Sequence, residues 1–172
     1  EPSLDYIVTK IPRWDMAKFD GVSTKIGSAM KSVGEVMAVG RTQEESLQKA
    51  LRMVDPSIRG FQPRERLTEE ELRHELANTT DKRVYAIAQA LHDKSMHVDE
   101  IHEITKIDHW FLRRLENIVK TWDKMEQFSL DDMSEDLMIE AKKNGYSDIQ
   151  ISQCLKGDID EDAVTTATIP LQ

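Results

Sequence analysis

Lys31 and Glu35 stand four residues apart in the segment Met30-Lys31-Ser32-Val33-Gly34-Glu35-Val36-Met37. In an extended strand an even spacing places both side chains on one face. A cation and a carboxylate beside a glycine-thinned backbone could flank a polar active site. The same two charges could equally form an ion pair on a sheet face, and surface pairs are usually inert. The five histidines offer less. His97 and His102 are five apart, off the i,i+4 spacing that brings two ligands together on a helix, and zinc needs three or four convergent donors. No metal site is expected. Cys154 has neither an activating histidine nor a basic cluster beside it, so it is read as a small apolar residue on a helix face. Val98–Thr105 followed by Asp108–Phe111 has the outline of a helix-turn-helix. Arg113 and Arg114 follow, but Asp108, Glu116 and the acidic surroundings oppose a DNA-reading surface. No phosphate-cradling glycine loop and no nucleophile elbow occurs.

The elements that would position Lys31 and Glu35 are few. Tyr6–Ile11 is β-branched and aromatic and is expected to end at Pro12; Ser32–Gly40 is a second strand, with a bulge or close backbone approach at Gly34. Thr42-Gln43-Glu44-Glu45 is a capping box opening a helix with Leu47, Ala50, Leu51 and Val54 on one face, ended before Pro56. Two strands and one helix cannot bury their own faces, which points to a sheet begun elsewhere in a larger protein. The lack of an initiator methionine agrees with that expectation.

Beyond Gly60 the pattern is helical. Thr68–Glu71 and Ser147–Gln150 are further capping boxes, and Asp81, Asp108 and Ser134 are candidate caps. Leu72 and Leu76, Val84 to Leu91, Val98 to Ile104, Trp110 to Trp122, and Leu137 to Ala141 each form an apolar stripe; a last helix runs to Gly157. Gly145 suits the position after a helix end. Asp158–Gln172 shows no sustained period and is expected to lack order.

Composition divides at the same place. Residues 1–60 hold nine Lys and Arg against eight Asp and Glu, a net of +1 within a total of −9. The remainder therefore carries −10, which argues against binding nucleic acid through its phosphates. Five of the seven glycines also lie in the first part. With 39% hydrophobic and 32% charged residues and no apolar run long enough to span a bilayer, the chain reads as a soluble intracellular protein with no membrane partner. A single cysteine fits a reducing compartment.

Several long segments, in order, resemble the carbamoyl-phosphate synthetase large chain: Glu1–Trp14, Met30–Met37, Gly40–Arg52, Asp81–Tyr85 and Ile107–Leu112. The resemblance extends over residues 1–157 and implies an α+β piece. Residues 1–60 would be the C-terminal end of the first, carboxyphosphate-forming ATP-grasp domain, and 61–157 an all-helical oligomerisation domain. The tail 158–172 departs from the family pattern. The parent enzyme would use Mg-ATP to join bicarbonate and ammonia, feeding urea and arginine or pyrimidine synthesis. The family's ATP and metal residues lie upstream, so this piece is expected to be inactive and to bind no cofactor itself. Lys31 and Glu35 fall on the family's M-K-S-V-G-E motif, which implies a place near the site. The implied partners are the remainder of the synthetase chain and a second copy through the helical domain. Pro56–Phe61 and Tyr85–Ala88 are similar to the mitochondrial, ammonia-using type, with the cytoplasmic type as the alternative. A free-standing helical interaction module without catalysis is the competing reading.

Overall fold

The computed structural model describes residues 5–14, 21, 23 and 25–171. Two antiparallel strands, β1 (Ile7–Arg13) and β2 (Gly34–Gly40), pair from Ile7↔Gly40 to Arg13↔Gly34. Eight helices follow: α1 (Gln43–Val54), α2 (Glu69–Ala77), α3 (Arg83–His92), α4 (Val98–Thr105), α5 (His109–Met125), α6 (Glu135–Lys143), α7 (Asp148–Cys154) and α8 (Glu161–Thr168). A 3₁₀ turn at Ile169–Leu171 closes the chain.

The helix starts follow the capping chemistry. Thr68 and Ser147 form reciprocal boxes with Glu71 and Gln150. Asp108 and Ser134 accept from the Trp110 and Leu137 backbone N–H. At α1, Thr42 accepts from the Glu45 N–H, while the Glu45 carboxylate takes the Arg41 N–H at 2.6 Å, one residue earlier than a box requires. Asp81 does not cap α3. Lys82 occupies that position with no side-chain bond, and its N–H goes instead to the Thr80 hydroxyl. Gly145 follows the α6 cap with φ +83°, as the last turn demands.

Three further expectations meet a different outcome. Pro12 does not stop β1; it pairs opposite Glu35, tolerated because each strand of a two-stranded ribbon is an edge. Gly34 marks no bulge or close approach: it forms the regular end pair of the ladder opposite Arg13, and a Cβ there would meet nothing within 4 Å. The tail is ordered as α8, capped by Asp160 and packed on α7 through buried Val164 and Thr168.

A single apolar cluster runs from Leu51, Ile58 and Phe61 through the helices to Val164, so packing is continuous across Gly60. Helix α5 is its axis, touching α1, α3, α4, α6 and α7, with Leu112, Ile118 and Met125 fully buried. Several buried polar groups in this core are paired. The Tyr146 hydroxyl donates to the Ile118 carbonyl at 2.6 Å. The Gln89 amide clasps the backbone of Leu67, accepting from its N–H at 2.9 Å and donating to its C=O at 2.8 Å.

Candidate functional site

Lys31 and Glu35 do not share a strand face. β2 begins only at Gly34, and the Lys31 ammonium is held by the carbonyls of Ser23 (3.0 Å) and Lys25 (2.8 Å). Glu35 pairs with Lys10 of the opposite strand at 2.8 Å, both ends half-exposed. The candidate cation therefore organises the loop before β2, and the candidate carboxylate joins the two strands. The loop itself is tied to the helical body where the Ile26 N–H reaches the Thr79 carbonyl at 2.7 Å.

The hairpin has two unlike faces. Ile7, Thr9, Ile11, Ala38 and Gly40 turn inward beneath α1. On the outer face Val8, Val39 and Met37 are 44%, 47% and 60% exposed, with Lys10 and Glu35 beside them. Among the described residues this apolar sheet surface stays exposed.

Helix α1 lies between the hairpin and the helical body. Toward the hairpin, the Ser46 and Thr9 hydroxyls bond at 2.7 Å and the Lys49 ammonium donates to the Val39 carbonyl at 3.2 Å. Burial alone would raise the pKa of Glu45, but Lys49 and the Arg41 N–H outweigh it and hold the carboxyl below the usual range. Toward the body, buried Glu44 accepts from Asn117 at 3.0 Å and faces Arg114 at 3.6 Å. The Gln48 side chain, fully buried, donates to the Asn144 carbonyl at 3.2 Å and accepts from the Phe61 N–H at 2.9 Å and from Gln150 at 3.2 Å. Arg52 donates to the Gly145 carbonyl at 2.8 Å and to Gln150 at 3.1 Å. The sequence reading assigned α1 an apolar stripe. Ala50 and Leu51 of that stripe are buried, but so are Glu44, Ser46 and Gln48, which an apolar period cannot reveal because their burial rests on partners distant in sequence.

The remaining candidates carry structure. His102 and His109 stack with ring centroids 3.9 Å apart at the α4–α5 turn; His102 bonds the Ile107 carbonyl and His109 faces Asp99. Arg114 lies over Trp110, 5.0 Å from its ring centre, as well as facing Glu44, so it is engaged within the chain. Trp110 and Phe111 meet edge to face and remain half-exposed. The Cys154 thiol is buried and donates to the Trp122 carbonyl at 3.4 Å; burial pushes its pKa up to about 12. Among the described residues, no three His, Cys, Asp or Glu side chains are grouped to hold a metal ion, and no helix is long and apolar enough to cross a membrane. Lys31 is bound to two carbonyls and Glu35 to Lys10, so both candidate charges are engaged within the chain.

Comparison with known proteins gives these surfaces a context. Residues 35–170 match the family described as carbamoyl-phosphate synthetase large chain, oligomerisation domain, a span that includes α8. The chain is 53% identical over 154 residues to the mitochondrial arginine-specific carbamoyl phosphate synthase large chain of Schizosaccharomyces pombe, covering 89% of this chain and 13% of that one. It is 52% identical over 160 residues to the mitochondrial carbamoyl-phosphate synthase [ammonia] of Homo sapiens, covering 90% and 11%. It is 47% identical over 157 residues to the multifunctional protein CAD of Squalus acanthias, covering 91% and 7%. The chain thus spans about an eighth or less of the length of these relatives.

Proposed function

Because the chain belongs to the carbamoyl-phosphate synthetase large-chain family, through its oligomerisation domain, we propose that it serves structurally within such a synthetase. That parent is an ATP-dependent carbon–nitrogen ligase making carbamoyl phosphate from bicarbonate and ammonia. In this reading the hairpin and α1 close the sheet of the carboxyphosphate-forming half, and α2–α8 form the helical domain that joins it to the second half or to another copy. Lys31 and Glu35 lie near the parent's site as organisers of the loop and strands, with substrate contact left to other residues. The chain alone is inactive. The ammonia-type and arginine-specific mitochondrial relatives support a mitochondrial setting, alongside relatives without that designation.

The observation that carries this reading is the outer face of the hairpin. A two-stranded sheet is marginal in water, and here, among the described residues, α1 covers one face while the other stays exposed. Val8, Val39 and Met37 are what a continuing sheet or a covering domain would bury. The test is bicarbonate-dependent ATP hydrolysis by a full-length synthetase carrying Val8→Thr, Met37→Thr and Val39→Thr. The expected result is a loss of about ten-fold or more, worth about 1.4 kcal/mol. Unchanged hydrolysis would mean that this face is solvated in the whole enzyme, and the structural assignment would fall.

The competing reading, a free-standing helical interaction module, draws on the half-exposed Trp110–Phe111 pair braced by Arg114, since aromatic and arginine anchors are typical of binding hot spots. A stable complex of this chain with a non-enzymatic protein, lost on Trp110→Ala, would favour it.

A further inference from the structure

Gln48 and Gln150 are buried side by side, 102 residues apart in sequence, and the chain leaves no space around them. A Cβ at Gly60 would sit 2.2 Å from the Gln48 side-chain oxygen and 2.3 Å from the Gln150 nitrogen. At Gly145 a Cβ would come within 2.7 Å of the Glu45 Cα, so α1 lies directly on the α6–α7 corner. Around this contact every polar group has a fixed partner. Gln48 spans Asn144 and Phe61, Arg52 reaches Gly145 and Gln150, and Gln150 also caps its own helix through the Ser147 N–H. On the other side of the same helix, Ser46 and Lys49 hold β1 and β2 through Thr9 and Val39.

An apolar contact tolerates sliding, because one methyl group can replace another. A buried polar network does not: moving α1 by one turn would strand each amide without its partner, at about 1–3 kcal/mol per group. We propose that α1 is a coupling strut, locked in register by the Gln48–Gln150 pair, which makes the hairpin and the α5–α7 body move and open as one unit. A displacement of the sheet is then passed to the α6–α7 corner at Gly145, with no hinge near Gly60. The proposal rests on the synthetase reading only for its use inside that enzyme. The coupling is a property of this chain and is measured without any substrate.

The experiment is hydrogen exchange on this chain through a series of low urea concentrations, following amides of β2, α1, α5 and α7. The expected result is a shared opening: β2 and α1 amides join α7 on one urea dependence. Gln48→Met keeps the volume and removes the amide. It is expected to split the groups, with β2 and α1 opening about ten-fold more often than α5. A wild-type chain in which β2 and α1 open together while α7 stays closed overturns the proposal, as does a Gln48→Met chain that folds with the shared opening intact. If Gln48→Met does not fold, the wild-type urea series alone decides. Failure here would leave the synthetase assignment standing, since that rests on the outer face of the hairpin.

Discussion

Cys154 and His92 show how burial sets reactivity residue by residue. With its pKa pushed up to about 12 and its proton directed at the Trp122 carbonyl, the Cys154 thiol is protonated at neutral pH. Iodoacetamide should label it at least about a hundred-fold more slowly in the folded chain than in urea; equal rates would mean that the site is open. At His92 burial lowers the pKa below the ordinary 6.5, only partly offset by the Phe61 backbone and by Asp123, Asp93 and Glu126, and its Nε2 is buried without a partner. The native state therefore binds this proton less readily than the unfolded chain does. Its contribution is whole above the unfolded value and declines as pH falls from there toward the lowered native value. Urea midpoints should drop as pH falls below the ordinary histidine value of 6.5, and His92→Phe should flatten part of that drop; an unchanged slope would remove His92 as the cause. Lys31 was singled out from its motif, but its role as a clasp on two carbonyls was not legible, because the loop that supplies them has no pattern of its own. Lys31→Met should speed exchange in residues 25–33 while leaving α5 unaffected, with Lys31→Arg restoring part of the protection. No change in the loop would show that the ammonium does not hold it. Gln48 and Gln89 were illegible for a related reason: an amide bonding to distant backbone looks, in sequence, like any surface polar residue.

Among the elements, the six helices from α2 to α7 were readable from their apolar spacing, with caps agreeing at α2, α5, α6 and α7 but not at α3. The capping boxes at Thr68 and Ser147 are realised with both partners. Thr68→Ala should cost about 1 kcal/mol of stability, read as a lower urea midpoint with an unchanged slope. A loss near zero would mean that the first turn of α2 frays regardless. Helix α8 was missed because Val164 is its only fully buried apolar residue, and one contact makes no period. Its order comes from the Asp160 cap and from docking on α7, where the Thr165 hydroxyl reaches Asp148 at 3.0 Å. β1 passes through Pro12 for a reason local sequence does not hold, namely that among the described residues the sheet has two strands, so each is an edge.

At the scale of the whole molecule, the change in charge and glycine content near Gly60 was legible, and the packing that runs across it was not. The core joins Leu51 to Phe61 and on to the helices, with α5 as its axis. Ile118→Ala, at the centre of that axis, should destabilise by about 2–5 kcal/mol; a much smaller loss would mean the core collapses around the gap. The central claim is that this chain supplies structure to a synthetase and holds no nucleotide site of its own. It is tested most directly by hydrogen exchange on the chain with and without Mg-ATP. The account predicts identical protection in both, including across residues 30–40. Protection of those residues by Mg-ATP would contradict it, since it would place a nucleotide site on Lys31, Glu35 and the strand they flank.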